Sequence, residues 1–120
     1  MSSILVHITH GPEAPNRVAL GLLVARTAAA EGHEVSVFLA SDGVNVIRDE
    51  VLDSLHGIGL GHAREHVDNI LSSGGKFWVS KMSSKARGVT ESDLEGKSAQ
   101  MATPSDLVRL SLEHDRMFTY

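Results

Sequence analysis

Short apolar runs rich in β-branched residues alternate with longer segments of helical periodicity along the 120-residue chain. Strands separated by helices build a parallel sheet, with right-handed crossovers that place helices on both faces. We therefore predict an α/β fold, a single domain over residues 1–120 with a parallel sheet of about five strands, of the flavodoxin-like or Rossmann-like type. The predicted strands are 3–9, 34–40, 76–80, 98–102 and 116–120. The predicted helices are 16–31, 42–55, 62–72 and 103–114.

Several turn residues mark the ends of these elements. Pro15 suits the first turn of the first helix, and Gly32 is expected to end that helix in the left-handed conformation. Thr103-Pro104-Ser105-Asp106 is a strong helix start, with a capping hydroxyl, an early proline and an acid in the first turn. Thr90 and Asp93 have capping-box spacing for a further short helix. The segment Gly57-Ile58-Gly59-Leu60-Gly61 is expected to be a flexible loop.

The composition excludes several kinds of chemistry and partner. The chain contains no cysteine, so thiol nucleophiles, thiolate metal sites and disulfides are absent. Its formal net charge of −4 gives no general attraction to nucleic acid. No apolar run approaches the roughly 20 residues of a membrane span, and the first residues lack the basic start of a signal peptide. We expect a cytoplasmic protein without membrane or nucleic-acid partners.

A binding site is expected at one edge of the predicted sheet. Ligands of open parallel sheets bind beyond the carboxyl ends of the strands, where the loops that follow the strands gather. Those loops carry one imidazole, one carboxylate, one ammonium group and several hydroxyls. A polar pocket suited to a small anion is the functional interpretation, and ordinary polar turns are the structural one. The candidate ligand-binding residues are His10, Asp42, Ser80, Lys81, Ser83 and Arg87.

Three kinds of functional site find little support in the motifs. The first predicted strand-to-helix turn has one glycine and two prolines, so the glycine fingerprint of dinucleotide binding is missing. No Gly-x-Ser-x-Gly elbow exists, although Ser80 or Ser83 would share a sheet edge with His10 and Asp42. His62 and His66 lie one helical turn apart, a spacing that can bind a metal, but no third ligand is evident. The pattern favours a solvated helix start over a metal site, and we expect neither metal nor cofactor.

The order and spacing of several segments resemble the DsrE/DsrF-like family, whose fold also occurs in sulfur-relay (Tus-type) subunits. The resemblance extends over nearly the whole chain and implies a parallel sheet flanked by helices, assembled into trimers or hexamers. The segments that carry it are 4–13 (ILVHITHGPE), 32–39 (GHEVSVFL), 42–44 (DGV), 71–79 (LSSGGKFWV) and 85–89 (KARGV).

Active members of that family carry sulfur as a persulfide on a cysteine after the third strand. The resemblance places this position at Ser80, with Ser83 as a second candidate. A serine hydroxyl cannot carry a persulfide, so sulfur transfer and catalysis are not expected. We therefore expect an oligomeric subunit for interaction or small-anion binding, with itself and other DsrE-like subunits as partners. The alternative is a sulfur-relay accessory protein or an enzyme that uses the loop pocket.

Aromatic residues provide an independent indication of assembly. Phe77 and Trp78 are adjacent in a predicted strand and therefore face opposite sides of the sheet, where a small domain buries one more easily than the other. The chain ends in Met117-Phe118-Thr119-Tyr120, and methionine and aromatic residues are enriched at protein interfaces. The segment is either the last core strand or part of an interface.

Overall fold

The computed structural model describes residues 1–120, and its centre is a five-stranded, entirely parallel sheet. The strands of the chain are β1 (Ser3–Ile8), β2 (Glu34–Leu39), β3 (His56–Gly57), β4 (Gly61–His62), β5 (Lys76–Ser80), β6 (Ala99–Ala102) and β7 (Arg116–Thr119). The order across the sheet is β6-β5-β2-β1-β7, and β3 and β4 form a separate antiparallel hairpin. This confirms the predicted α/β fold and its five parallel strands.

The helices surround this sheet as the alternating sequence pattern predicted. They are α1 (Pro15–Ala30), α2 (Asp49–Ser54), α3 (Ala63–Ser72), α4 (Lys81–Arg87) and α5 (Pro104–Glu113). The sequence pattern predicted no helix at the position of α4. Two 3-10 segments, Ser41–Ile47 and Glu91–Leu94, complete the chain. No helix combines the length and the apolar character needed to cross a membrane.

The two faces of the sheet are covered unequally. Val6 and Ile8 of β1 point to a large core that includes buried residues of α1 and α3. Leu5 points to the other face, where it packs with Phe38 of β2 and Leu110 of α5 in a much smaller cluster. Because side chains alternate along a strand, each strand feeds both cores. Helices therefore lie on both faces, but α5 provides the only helical residues of the smaller core.

The predicted helix caps are present. Pro15 occupies the first turn of α1, and Gly32 follows that helix with φ of +89°. At α5, the Thr103 hydroxyl accepts from the Asp106 N–H at 3.2 Å, and the Asp106 carboxylate accepts from the Thr103 N–H at 2.8 Å. A second capping box, between Thr90 and Asp93, begins the 3-10 segment Glu91–Leu94. These ends were predictable because each cap is a contact between close neighbours in sequence.

The prediction of one continuous helix over residues 42–55 is wrong. It is divided into the 3-10 segment Ser41–Ile47 and α2, with Arg48 extended between them. The Ile47 carbonyl accepts from Nζ of Lys97 at 2.8 Å, and the Arg48 guanidinium donates to the carbonyl of Arg87. Polar groups of Ile47 and Arg48 at the break are thus hydrogen-bonded to residues that are 50 and 39 positions away in sequence.

The segment 57–61, predicted as a flexible loop, instead forms the tight connection of the β3–β4 hairpin. The N–H of Leu60 donates to the Gly57 carbonyl at 3.2 Å, and Gly59 has φ of +69°, which favours glycine. The side chain of Asn16 at the start of α1 accepts from the N–H of Ile58 at 2.9 Å. The hairpin is therefore held against the body of the protein.

Candidate functional site

The loops that follow β1, β2 and β5 meet at one edge of the sheet, as the topology predicted. A Cβ atom on Gly11 would overlap the carbonyl oxygen of Asp42, and one on Gly43 would overlap the carbonyl oxygen of Ile8. Only glycine permits backbones to approach this closely. The loop that carries His10 therefore lies directly against the loop that carries Asp42.

Ser80, at which the sequence resemblance places the family cysteine position, ends β5 and caps α4. Its Oγ accepts from the N–H of Ser83 at 3.2 Å, and its hydroxyl donates to Oγ of Ser83 at 3.1 Å. The Ser83 oxygen also accepts from the N–H of Ser41 at 2.9 Å. Ser41 has φ of +54°, in the left-handed region that residues other than glycine seldom adopt. The two serines thus connect the ends of β2 and β5.

Arg87 is held by a carboxylate. Its Nε lies 3.0 Å from Oδ1 of Asp42, and another guanidinium nitrogen donates to the carbonyl of Ser83 at 3.3 Å. Asp42 and Arg87 are thus brought together, but they neutralise each other. The guanidinium of Arg87 therefore already has an anionic partner in Asp42.

His10 lies near Asp42 along the backbone, but its side chain has a different partner. Nδ1 of His10 is 3.3 Å from Oε2 of Glu13, whose carboxylate also accepts from the N–H of Gly11 at 2.9 Å. No histidine is within hydrogen-bond distance of Ser80 or Ser83. The serine–histidine pair needed to activate a hydroxyl nucleophile is therefore not formed.

Lys81 faces a different environment from Arg87. Together with Lys85, one helical turn further along α4, it lines a cavity of about 430 Å³. Both lysines are exposed, and neither has a carboxylate within 4.0 Å. The cavity also contains apolar, hydroxyl and acidic groups from Ser84, Gly88, Val89, Thr90, Glu91 and Met101.

Lys85 is the second cation of this cavity, and the sequence interpretation missed it. No helix was predicted over these residues, so the sequence interpretation could not use the i, i+4 spacing that places Lys81 and Lys85 on the same face of α4. Ser84, between them, is fully buried, and its hydroxyl has no hydrogen-bond partner. The structure thus separates the six candidate residues. Lys81 lies at the cavity, the side chain of His10 lies against Glu13, and a bonded network contains Asp42, Ser80, Ser83 and Arg87.

The histidine pair predicted from helical spacing does not converge. His66 is buried, and its Nε2 donates to the carbonyl of Leu60 at 2.7 Å, since a carbonyl can only accept. Its Nδ1 faces the guanidinium of Arg26 at 3.3 Å. Both nitrogens of His66 are therefore occupied, whereas His62 is exposed at the hairpin.

Two relatives match almost the full length of the chain. The uncharacterized protein MJ0989 of Methanocaldococcus jannaschii is 35% identical over 116 residues, which cover 96% of each chain. The uncharacterized protein MK0008 of Methanopyrus kandleri is 32% identical over 123 residues, with 98% of this chain and 93% of the relative covered.

Solved structures share the fold at low sequence identity. The ychN protein of E. coli superposes with a TM-score of 0.81 at 17% identity, and full coverage of both chains. The protein MTH1491 of Methanobacterium thermoautotrophicum superposes with a TM-score of 0.73 at 19% identity, again over both full chains. The model of the DsrE/DsrF-like family matches residues 2–120. The sequence resemblance is thus confirmed, and the chain belongs to the DsrE/DsrF-like family.

Proposed function

We propose that this protein is an oligomeric, non-catalytic DsrE-like subunit that binds a small anion and does not carry persulfide sulfur. The observation on which the proposal rests is the hydrogen-bonded pair of Ser80 and Ser83 after β5. Persulfide chemistry needs a thiolate, and a serine hydroxyl supplies no equivalent group. Here the hydroxyl of Ser80 instead caps a helix, a structural role.

The anion-binding part of the proposal is supported by Lys81 and Lys85. Both lysines line one cavity and neither forms an ion pair with a carboxylate, so an anion would meet two positive charges. Glu91, on the same cavity, opposes a highly charged anion. The side chains of Val89 and Met101 form an apolar part of the cavity wall. The cavity therefore suits a small anion of low charge, such as an organic acid with an apolar body.

The assembly part of the proposal is supported by an incompletely covered side of α1. Leu20, Leu23 and Val24 share a face of this helix, and Leu20 is 39% exposed. Phe118 of β7 pairs in register with Val6, so it points to the same face of the sheet, and it is 43% exposed. We name Leu20, Leu23, Val24 and Phe118 the α1–β7 patch.

The position of the α1–β7 patch favours a second protein chain as its cover. β7 is an edge strand whose four residues are all exposed, and its outer backbone groups pair with no other strand. Exposed edge strands readily pair with another chain. Beside the patch, a groove of about 360 Å³ lies between Ile4 of β1 and the exposed side of α1.

Sulfur loading tests the first part of the proposal. The purified protein is incubated with thiosulfate, whose sulfane sulfur would pass to a thiolate with release of sulfite. Intact-mass spectrometry should show no adduct on the natural protein. Ser80→Cys and Ser83→Cys provide the comparison, since a persulfide adds about 32 Da, the mass of one sulfur atom. A sulfane adduct on the natural, cysteine-free chain would contradict the proposal.

Anion binding is tested by NMR chemical-shift titration with sodium benzoate and with sodium sulfate. Shifts should concentrate at residues 81–91, with benzoate binding more tightly than sulfate. Lys81→Ala and Lys85→Ala should each weaken binding, while Lys76→Ala, an exposed lysine on β5, serves as the matched control. Equal effects of all three substitutions would indicate general charge screening and would refute a site at the cavity.

Assembly is tested by light scattering after size exclusion. Phe118→Asp and Leu20→Asp should reduce the molar mass because each places a charge in the α1–β7 patch. Leu112→Asp is the matched control, since Leu112 is 82% exposed on α5, on the other side of the sheet. A monomeric natural protein, or dissociation only in the Leu112 variant, would show that the patch is not the interface.

A further inference from the structure

Two exposed imidazoles face each other across the β3–β4 hairpin. His56 and His62 are a directly opposed pair in this antiparallel ladder. Their ring centroids are 5.3 Å apart, and the ring planes are inclined by 43°. Neither ring donates or accepts a hydrogen bond within the protein, so all four nitrogens are free. Sequence spacing had paired His62 with His66 instead.

The separation of the two rings is close to the one expected when both ligate a tetrahedral ion. An imidazole nitrogen binds Zn²⁺ at about 2.0–2.1 Å, which places each ring centroid about 3.2 Å from the ion. At a tetrahedral angle, two such centroids are about 5.2 Å apart. The observed 5.3 Å is close to this separation, and joint ligation would in addition require each exposed ring to turn one nitrogen toward the ion.

The backbone under the two rings is already fixed. His66 donates to the carbonyl of Leu60, and Asn16 accepts from the N–H of Ile58, so both arms of the turn are anchored. The N–H of Ala63, directly after His62, donates to the carbonyl of Leu55, directly before His56. This bond closes the ladder at its open end. Because the backbone is fixed, only the two side chains remain to be ordered when an ion binds.

We propose that His56 and His62 form a two-histidine site for a late first-row divalent cation, with Cu²⁺ bound most tightly and Zn²⁺ and Ni²⁺ less so. Neutral imidazole is a preferred ligand of these ions, whereas Mg²⁺ and Ca²⁺ prefer oxygen. No third histidine, cysteine or carboxylate side chain joins the pair. The other coordination positions are therefore open to water or to a small ligand. This site is separate from the cavity at Lys81 and Lys85.

The test is calorimetric titration of metal-free protein with CuCl₂, ZnCl₂ and MgCl₂ at pH 7.5. His56→Gln and His62→Gln should each weaken Cu²⁺ binding by about tenfold or more, because each leaves only one imidazole ligand. His10→Gln is the matched control, as it removes another exposed imidazole without touching the hairpin. Circular dichroism establishes that each variant is folded, which is expected since both rings are exposed.

Two further measurements distinguish this site from nonspecific binding. The electron paramagnetic resonance spectrum of the Cu²⁺ complex should show coupling to two imidazole nitrogens in the natural protein and to one in either variant. Binding should also weaken as the pH is lowered, because metal ligation requires deprotonated ligand nitrogens. Unchanged affinity in both variants, or equally tight binding of Mg²⁺, would overturn the proposal.

Discussion

The guanidinium of Arg87 in α4 forms an ion pair with the carboxylate of Asp42, with Nε 3.0 Å from Oδ1. The two residues are 45 positions apart in sequence, and their contact joins the loop after β2 to the helix after β5. It also removes the positive charge of Arg87 from the set of groups open to an anion. Lys81 and Lys85 remain as the available cations beside the cavity.

Breaking this ion pair should increase anion affinity. Asp42→Asn leaves the charge of Arg87 uncompensated near α4, so benzoate or sulfate should bind more tightly in an NMR titration. The free energy of unfolding should fall by only about 0.5 kcal/mol, because both side chains are partly exposed and solvent screens the pair. Asp53→Asn, which removes a partner of Arg64 instead, is the control. Equal gains in the two variants would point to net charge rather than to Arg87.

Removing the hydroxyl of Ser80 should destabilise the protein. Ser80→Ala removes the acceptor for the N–H of Ser83, and loss of such a helix cap costs about 1 kcal/mol. Urea denaturation monitored by circular dichroism measures the change. Ser73→Ala, at an exposed serine after α3 whose side chain makes no hydrogen bond, should change the unfolding free energy by much less. A Ser80→Ala protein as stable as the natural one would show that the cap contributes nothing.

Lys97 should be required for the break between residues 41–47 and α2. It is 6% exposed, and Nζ donates to the carbonyls of Ile47 at 2.8 Å and Asp93 at 2.6 Å and lies 3.0 Å from Asp49. The same contact holds the pKa of Asp49 below its usual value. Lys97→Met retains most of the side-chain volume but leaves buried carbonyls unsatisfied, at a cost of about 2–3 kcal/mol.

Urea denaturation measures the effect of Lys97→Met, with Lys76→Met as the control at an exposed lysine. Hydrogen exchange should be faster at residues 48–55 in the Lys97 variant, because α2 loses the ion pair between Asp49 and Lys97. A stability loss equal to that of the control would refute the structural role.

His7 should make the protein less stable as the pH falls. Burial lowers the pKa of His7 below its ordinary value of 6.5, because desolvation disfavours the charged ring. Below about pH 6.5, the unfolded chain therefore binds a proton that the folded protein does not yet accept. The stability that the neutral ring contributes is fully present above this pH. It declines as the pH falls, until the pH reaches the pKa of His7 in the folded protein.

The prediction for His7 is checked by urea denaturation at pH 7.5 and pH 5. The loss of unfolding free energy between these conditions should be smaller in His7→Gln than in the natural protein. His10→Gln, at an exposed position, should retain the full loss. An unchanged pH dependence in His7→Gln would exclude His7 as its source. The ring packs edge-on to Phe38 at 5.8 Å, so a uniform drop in stability at both pH values is expected in addition.

The sequence alone was sufficient for the five strands of the parallel sheet and for α1, α3 and α5, with most of their ends, but not for α4, the β3–β4 hairpin or the break before α2. Apolar alternation and helical periodicity are local patterns, and caps such as Thr103 with Asp106 involve residues three positions apart. The family resemblance and the absence of cysteine were also evident from the sequence itself. The sequence also placed His10, Asp42 and Ser80 at one edge of the sheet, because the direction of each strand determines the edge at which the following loop emerges.

Tertiary structure decided which side chains are free and which are occupied. Lys97 reaches across 50 residues to the carbonyl at the break after Ile47, Arg87 is neutralised by Asp42, and His62 faces His56 rather than His66. Each outcome depends on a contact between segments that are distant in sequence or turned back by a hairpin. Local periodicity carries no information about such contacts, because they form only when the separate elements pack into one particular arrangement.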